Sequence, residues 1–436
     1  MTRRALAAAA LAGAVLITGC GGSGGTTSGS ALPPADAAQV SGDITVLTHR
    51  TDLIADGTMK KYADEFTKVY PKVHVTYEGI TDYEGEVKIR MNTSNYGDVL
   101  LIPAAIAKND YPKFFAPLGA AADVSGTYDF TAKATVGEQV YGLASFANAN
   151  GFVYNKSVWA QAGITTWPRT REEFLADLQA IKAKTGSTPY YTNYKDGWPL
   201  TAWTSAVGTT GCDTLANDKL AAGDPWAEGS DLRASDTLLY DIVHGKLAEE
   251  DPATTNWENS KTQLATGRIA TMWLGSWSIV QMQQAAVKAG KDASEIGYMP
   301  FPAQKDGAFC SVVAPDYQYA VNVHSAHKPA ARAWIDWMLT KSGYADASQA
   351  VSAVKGAPMP PTLKPYSDAG VKLVTLSEEK TALVNTIDNA AEIGLQKPDY
   401  RQHLIDVARG AASGDLASEF AALSKKWNAA RKDAGS

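Results

Sequence analysis

Residues 43–77, DITVLTHRTDLIADGTMKKYADEFTKVYPKVHVTY, decide the fold class of this chain. Residues 44–48 are a short run rich in β-branched side chains, which favours a strand, and residues 73–77 alternate as a second strand. Between these runs, apolar residues recur at helical spacing until Pro71 ends the pattern, namely Met59, Tyr62, Ala63, Phe66 and Tyr70. Strand, helix and strand in this order form a βαβ unit, which predicts parallel strands with ligands near their carboxyl ends.

The alternation of strands and helices continues along the chain. Residues 99–102 are an uninterrupted apolar run of strand length, which is typical of a strand buried on both faces. Residues 172–184 have one apolar face and follow Thr170, a good N-cap residue. Residues 320–323 predict a further strand, followed by a helix that starts at Pro329 and has Trp334, Trp337 and Met338 on one face. The fold class is therefore α/β.

The amino terminus has the pattern of a secretory signal. Arg3 and Arg4 precede an uncharged run, residues 5–17, that is too short to span a bilayer. This run ends in LITGC, which resembles a bacterial lipobox, a motif whose cysteine receives lipid and becomes the first mature residue. Cys20 is therefore the predicted lipid anchor. The alternative is an ordinary cleaved signal that happens to be followed by a cysteine.

The segment that follows Cys20 predicts a tether. We expect residues 1–19 to be removed as a signal peptide, and residues 20–42, rich in Gly, Ser, Thr, Ala and Pro, to form a flexible link to the folded part. Such a link would let an anchored protein stand away from the membrane surface.

Length and charge limit the possible partners. The chain has 436 residues, enough for two globular lobes. It has 40 basic and 46 acidic residues, a net charge of −6, so neither nucleic acid nor a bare anionic membrane surface is an expected partner. No nucleophile elbow, zinc-binding helix motif, phosphate-binding loop or dinucleotide glycine motif occurs. We expect no cofactor.

Two further cysteines leave a disulfide open. Cys212 and Cys310 could form a bridge in an exported protein, and two buried free thiols are equally ordinary. Their separation along the chain does not decide between the two.

Five segments, in order, carry a resemblance to a known family. They are YGLASF at 141–146 with GFVYNK at 151–156, AGI at 162–164, WPRTREEF at 167–174, LATGRIATM at 264–272 with GSW at 275–277, and GYMPFP at 297–302. In these segments the chain resembles family 1 extracellular solute-binding proteins, which include the maltose-binding type. The likeness extends over most of residues 43–436.

This resemblance implies a periplasmic-binding-protein-like fold of type II, with two α/β lobes linked by a hinge and a ligand cleft between them. The lobes would comprise residues 43–146 plus 302–341 and residues 147–301 plus 342–436. The crossings between them would fall near residues 145–148 and 299–302.

The resemblance also implies a function. The chain would be the binding subunit of an ABC transporter that captures a monosaccharide or oligosaccharide by lobe closure and delivers it to the permease. It would be a monomer without catalytic activity, held by its lipid at the outer face of the cytoplasmic membrane.

A sugar site needs flat aromatic rings for the sugar faces and polar side chains for the hydroxyls. Trp277 is the strongest candidate, because it lies in a turn that resembles the one where the maltose-binding type stacks a pyranose. Ser276 stands where proline is common in that turn. Trp198 and Trp203 lie in a region that resembles the part of this family that forms the aromatic wall of the second lobe, but either could instead be core packing.

A dense polar loop directly follows the first predicted strand, where a parallel sheet delivers its loops to the ligand. It contains His49, Arg50, Thr51 and Asp52. The Arg50 guanidinium could bind vicinal hydroxyls or a carboxylate through its fork, and Asp52 could accept from a hydroxyl. The alternative is a solvated surface turn.

Five more polar side chains are candidates for the site. Asp98 precedes the 99–102 strand, where it could also be a cap. Asn148 and Asn150 lie at the first crossing, and Asp316 and Tyr317 lie at the entry to the 320–323 strand. Any of these last four could instead satisfy backbone groups near the hinge.

Other functions fit parts of the pattern. A glycoside hydrolase would need two carboxylates across a sugar, and Asp52 and Asp316 could converge. A polyamine, an osmolyte or a peptide could be the ligand within the same fold. His324 and His327 suggest a metal, but they flank the start of a surface helix, and we expect no metal site.

Overall fold

The computed structural model of the protein describes residues 39–435. The predicted signal peptide 1–19, Cys20 and most of the predicted tether lie outside the described residues. Val40 is buried in the core, and the first strand begins at Gly42. Ordered structure therefore starts slightly before residue 43, because the Val40 side chain has an apolar site to fill.

The first lobe is built on a sheet that starts from the predicted βαβ unit. Strand Gly42–Thr48 pairs in parallel with Val73–Gly79 over its whole length, and with Val99–Leu101 on its other side. A further strand, Gln318–Val321, is antiparallel to both of its neighbours, Val99–Leu101 and Leu143–Ala144. The order across this sheet is Val73–Gly79, Gly42–Thr48, Val99–Leu101, Gln318–Val321 and Leu143–Ala144.

Helices cover this sheet with their apolar faces. Met59, Tyr62 and Phe66 are buried on Thr58–Val69, and Trp334, Trp337 and Met338 are buried on Lys328–Thr340, both as the periodicity predicts. The helices that follow or pack on this sheet are Thr51–Ala55, Thr58–Val69, Tyr83–Arg90, Tyr111–Phe114, Ala121–Thr127, Lys328–Thr340 and Tyr344–Ala347. A small three-stranded sheet joins them, with the order Gly119–Ala120, Gln139–Val140 and Thr135–Val136.

The second lobe has its own sheet, which is largely antiparallel. Its longest strand, Ala147–Asn155, pairs with Ile296–Met299, Thr271–Gly275 and Ala308–Pro315 at different points of its length. The remaining strands of this sheet are Gln304–Lys305 and Lys372–Val374. The long strand thus connects most of the second lobe to the end of the first sheet.

Helices of the second lobe pack in several apolar clusters around this sheet. Helix Arg171–Lys184 begins as predicted, with the Thr170 hydroxyl accepting from the Glu173 backbone N–H. The second-lobe helices are Lys156–Gln161, Arg171–Lys184, Trp198–Thr201, Ala216–Ala222, Asp231–His244, Trp257–Ala265, Trp277–Lys288, Lys364–Asp368, Thr381–Ala391, Asp399–Ala408 and Leu416–Asp433. Short 3₁₀ turns across both lobes are Lys108–Asp110, Thr131–Ala134, Ala202–Ala206, Pro252–Thr254, Ala293–Glu295 and Pro361–Leu363.

The question of the two cysteines has a clear answer in the structure. Cys212 and Cys310 form a disulfide, with their Cα atoms 5.5 Å apart. The bridge links the loop around residue 212 to strand Ala308–Pro315, where the Cys310 side chain is buried.

The chain passes between the two sheets three times, in residues 145–146, 316–317 and 322–371. The first passage, residues 145–146, lies where the sequence predicts a crossing. The second comes after Pro315 and not near 299–302, because the chain first turns back through Gln304–Lys305 and Ala308–Pro315 in the second sheet. Tyr344 is buried in the core of the first lobe, although it lies in the range 342–436 that the sequence assigns to the second lobe. The exact extents of the lobes stay a prediction. No helix in residues 39–435 combines the length and the apolar character that crossing a membrane would need.

Candidate functional site

A cavity of about 890 Å³ lies between the two sheets at the crossing strands. Side chains from both lobes and from the crossings line it. Those on the first-lobe side are His49, Arg50, Asp52, Leu53, Asp56, Thr58, Tyr62, Phe146, Tyr344, Ala347 and Ser348, and the others are Asn148, Asn150, Lys261, Gly275, Trp277, Val280, Gln281, Gln284, Ala314, Pro315 and Asp316. The cavity therefore depends on both halves of the molecule.

The predicted polar loop lines the first-lobe wall. It follows the carboxyl end of strand Gly42–Thr48 and leads into helix Thr51–Ala55. Arg50 donates from Nε to Asp52 Oδ1 at 2.8 Å and from Nη2 to Asp52 Oδ2 at 2.6 Å. The hydrogen bond from Arg50 lowers the pKa of Asp52, so this carboxylate stays ionised at neutral pH.

His49 reaches deeper than Arg50. Its ring lies 4.9 Å from the ring of Tyr317 and 6.1 Å from that of Tyr83. Burial, and secondarily the charge of Arg50, lowers the pKa of His49 below its usual 6.5, so the imidazole is neutral at pH 7. Its Nδ1 is buried without a hydrogen-bond partner among the described residues.

Two asparagines of the crossing strand face the cavity together. Asn148 and Asn150 are two residues apart on strand Ala147–Asn155, so their side chains point to the same face, while Ala147 and Ala149 point into the core. The Asn150 amide nitrogen donates to the carbonyl of Val312 at 3.2 Å. These amides bring both hydrogen-bond donors and acceptors to the base of the cavity.

Asp316 lies at the second crossing. Burial raises the pKa of its carboxyl group, and the charges of Lys133 and Arg50 oppose that rise. Asp316 also lines a neighbouring cavity of about 390 Å³, together with Glu84, Lys133 and Tyr317. A carboxylate in this position is suited to accept hydrogen bonds from hydroxyl groups.

Trp277 forms the aromatic part of the second-lobe wall. It is the first residue of helix Trp277–Lys288, and Ser276 alone separates it from strand Thr271–Gly275. A Cβ atom on Gly275 would lie 2.6 Å from the Trp277 indole nitrogen, so glycine at this position lets the indole lie flat over the backbone. Ser276 has φ −60°, an angle that proline also adopts.

Trp277 is part of a cluster of three indoles. Its ring centroid lies 5.8 Å from those of both Trp198 and Trp257, and the centroids of Trp198 and Trp257 are 4.9 Å apart. The Lys261 ammonium lies 5.1 Å from the Trp257 ring centroid. This packing holds the Trp277 ring in place beside the cavity.

Seven of the twelve predicted ligand residues line the cavity. They are His49, Arg50, Asp52, Asn148, Asn150, Trp277 and Asp316. Three of the others lie next to it without lining it. Thr51 is exposed at the start of its helix, Trp198 is 39% exposed and supports Trp277, and Tyr317 donates to Glu84 in the neighbouring cavity.

The remaining two predicted residues have structural roles. Trp203 is 1% exposed in the second-lobe core, against Phe152 and Trp273, because its short helix turns it inward. The Asp98 carboxylate accepts from the Thr45 backbone N–H and from the Ser325 hydroxyl, so it caps the start of its strand. The alternatives to ligand binding therefore apply to both side chains: Trp203 is core packing and Asp98 is a cap.

Several lining residues had no local signal in the sequence. Tyr62 belongs to an apolar helical face that predicts core packing. Tyr344 lies on a short helix that is far along the chain from the other lining residues. Lys261, Gln281 and Gln284 lie on amphipathic helices whose polar faces read as solvated. Only tertiary packing brings them to the cavity. In residues 39–435, His324 and His327 belong to no group of three or more potential metal ligands.

Comparisons with known proteins agree on one family. The profile described as bacterial extracellular solute-binding protein matches residues 51–345. The "Multiple sugar-binding protein" of Streptococcus mutans serotype c is 27% identical over 317 residues, which cover 69% of this chain and 73% of that protein.

Two solved structures from Bifidobacterium animalis subsp. lactis are similar over nearly the whole chain. BlMnBP1, an ABC-transporter binding protein in complex with mannobiose, is 29% identical with a TM-score of 0.81, over 94% of this chain and 100% of that one. BlMnBP2, a manno-oligosaccharide specific solute-binding protein in complex with mannotriose, is 29% identical with a TM-score of 0.80, over 91% of this chain and 96% of that one. All three relatives are described as binding proteins.

Proposed function

Because the chain belongs to the family of bacterial extracellular solute-binding proteins, we propose that it captures a carbohydrate outside the cell and delivers it to the permease of an ABC transporter. The relatives described as binding sugars support this class of ligand. The hand-over would follow closure of the two lobes around the sugar, which is the usual motion of hinged binding proteins.

One observation carries the proposal. The cavity has an indole, Trp277, on one lobe and the Arg50 and Asp52 pair on the other, with the Asn148 and Asn150 amides at its base. An indole offers a flat apolar surface for the C–H face of a pyranose, and the polar groups match its hydroxyls. The cavity volume of about 890 Å³ lies within the ~300–1,000 Å³ range of small-molecule sites.

We propose an oligosaccharide of two or three units as the ligand. The two similar structures contain mannobiose and mannotriose, and the cavity here, of about 890 Å³, is lined by Trp277 as well as by Tyr62 and Tyr344. Manno-oligosaccharides are therefore the first probes to use.

A binding assay tests the function directly. Isothermal titration calorimetry and the intrinsic tryptophan fluorescence of the mature protein should respond to mannobiose or mannotriose, since Trp277 lies in the cavity. The melting temperature should rise with the same sugar, because the ligand binds the folded state only. A response to spermidine or to a peptide, with none to any sugar in a library, would overturn the proposal.

The proposed activity is binding without turnover. Asp52 is held in an ion pair with Arg50, and the relatives are solute-binding proteins rather than enzymes. Prolonged incubation with mannotriose should therefore return the intact sugar by chromatography. The appearance of mannose or mannobiose would favour the hydrolase alternative.

We propose that Cys20 carries the lipid that retains the exported protein at the outer face of the cytoplasmic membrane. The lipobox-like LITGC and the following Gly-rich segment support this anchor. The wild-type protein should partition into the detergent phase and Cys20→Ala into the aqueous phase, with equal sugar affinity for both. Detergent partitioning that does not depend on Cys20 would contradict the anchor.

A further inference from the structure

Ser276 connects the aromatic wall of the cavity to the crossing strand. Its side chain is fully buried between Trp277 and strand Ala147–Asn155. Its hydroxyl accepts from the Ala149 backbone N–H at 3.1 Å and lies 3.4 Å from Asn148 Oδ1. Its backbone N–H also donates to the Ala149 carbonyl at 2.8 Å. Three contacts thus join one residue to the strand that carries both asparagines.

The structure places the carbonyl oxygen of the Asn148 amide next to the Ser276 hydroxyl. The Ser276 oxygen accepts from the Ala149 N–H, and its single hydroxyl hydrogen donates to Asn148 Oδ1 at 3.4 Å. Only the oxygen of the Asn148 amide can accept that hydrogen, because the NH₂ group has no free lone pair. The carbonyl of the amide therefore faces Ser276, and its NH₂ group faces the cavity.

Asn150 has the opposite arrangement. Its NH₂ group donates to the Val312 carbonyl at 3.2 Å, which leaves its oxygen for the cavity. The Asn148 NH₂ group, by contrast, has no hydrogen-bond partner among the described residues. The two amides thus present a donor and an acceptor side by side, two residues apart on one face of the strand.

We propose that Ser276 is a positioning residue that holds Asn148 as a hydrogen-bond donor to the sugar. This inference rests on the proposed sugar-binding function. A hydroxyl group of the sugar can then donate to Asn150 while a neighbouring hydroxyl accepts from Asn148. Without the Ser276 hydroxyl, the Asn148 amide can turn over and present its oxygen instead, which removes the donor.

A double-mutant cycle on sugar affinity tests this role. Ser276→Ala and Asn148→Ala should each weaken the binding of mannobiose or mannotriose about three- to tenfold, the usual effect of losing one hydrogen bond. The double variant should be no weaker than Asn148→Ala alone, because Ser276 acts through Asn148. Additive losses would overturn the proposal, since they would mean that Ser276 affects binding independently of that amide.

Ser311→Ala is the matched control. Ser311 is also fully buried, and its hydroxyl also bonds the crossing strand, but there it bonds the backbone N–H and carbonyl of Asn150 and not a side-chain amide. We expect it to lower the melting temperature about as much as Ser276→Ala, with less than a twofold loss of affinity. Equal losses of affinity in the two variants would show a merely structural effect and would contradict the proposal.

A ligand-free measurement separates this inference from the proposed function. The side-chain NH₂ signals of Asn148 in a ¹⁵N-correlated NMR spectrum, assigned by their loss in Asn148→Ala, should be a single sharp pair in the wild type and doubled or broadened in Ser276→Ala. Unchanged signals would refute the positioning role. If no sugar binds the wild type while the signals change as expected, the function fails and the positioning of the amide stands.

Discussion

Arg50 grips Asp52 with both nitrogens of its fork, Nε to Oδ1 at 2.8 Å and Nη2 to Oδ2 at 2.6 Å. The two side chains are 30% and 62% exposed, so water screens the pair and its contribution to folding is small, at about 0–1 kcal/mol. Because both side chains line the cavity, the main role of the pair is to position polar atoms for a ligand, and its contribution to the stability of the fold is minor.

Arg50→Ala should therefore weaken sugar binding while leaving stability nearly unchanged. Losing a charged donor to the ligand should cost about 1.5–3 kcal/mol of binding free energy. Calorimetric titration with mannobiose and a thermal melt of the free protein measure the two effects. Lys60→Ala is the control, since it also breaks an exposed ion pair, with Asp64, but lies outside the cavity lining. Similar affinities for the two variants would remove Arg50 from the site.

Trp277→Ala should lower the affinity for the same sugar by about 1–3 kcal/mol, the scale of stacking on an aromatic ring. Trp203→Phe is a contrasting variant, because Trp203 is core packing and does not line the cavity. It should lower the melting temperature and leave the affinity unchanged. Should Trp277→Ala bind as tightly as the wild type, the stacking surface must be elsewhere.

Sugar affinity should fall as the pH is lowered through the pKa of Asp316. Burial raises this pKa above the ordinary 3.8, so Asp316 loses its charge at a higher pH than Asp52, whose pKa Arg50 lowers. An ionised carboxylate can accept from two hydroxyls with both oxygens, and protonation turns one of those oxygens into a donor and so weakens this binding. The dissociation constant should therefore rise with acidification while Asp52 remains charged.

Asp316→Asn should flatten this pH profile and weaken binding at neutral pH. The titrations are best made in a His49→Gln background, because the His49 imidazole shares the cavity and titrates below its usual 6.5. A steep profile that persists in Asp316→Asn would assign the effect to another group.

Loss of the Cys212–Cys310 disulfide should destabilise the protein without affecting its affinity. The bridge closes a loop of 98 residues, for which the loss of unfolded-state entropy predicts up to about 4–5 kcal/mol. Urea unfolding of the Cys212→Ser, Cys310→Ser double variant against the oxidised wild type measures this difference. Neither cysteine lines the cavity, so under folding conditions both proteins should bind mannobiose equally. A stability equal to that of the wild type would show that the bridge does not constrain the unfolded chain.

Local patterns in the sequence predict the local structure well. The βαβ unit at residues 42–79, the Thr170 cap and the buried face of Lys328–Thr340 depend on neighbours a few positions apart. The first passage between lobes, at 145–146, also lies in a recognisable segment. These features involve interactions that periodicity and capping rules describe directly.

Long-range packing decides what local patterns miss. The chain returns through Gln304–Lys305 and Ala308–Pro315 before it crosses, because that hairpin pairs with Ala147–Asn155, and no residue near 302 signals this. Trp203 and Trp277 are both tryptophans among apolar neighbours, and only the fold turns one inward and the other to the cavity. The polar loop at 49–52 was predictable, since its position after a parallel strand is a general rule.

The order of strands in the first sheet has a consequence for how the protein forms during secretion. In the sheet, Gln318–Val321 lies between Val99–Leu101 and Leu143–Ala144. Along the chain, more than half of the second lobe separates it from both of these strands. A polypeptide that emerges from the membrane amino end first must therefore leave Val99–Leu101 with an unpaired edge until that late strand arrives. We expect this interval to be when the newly exported protein is most prone to aggregate or to need a chaperone.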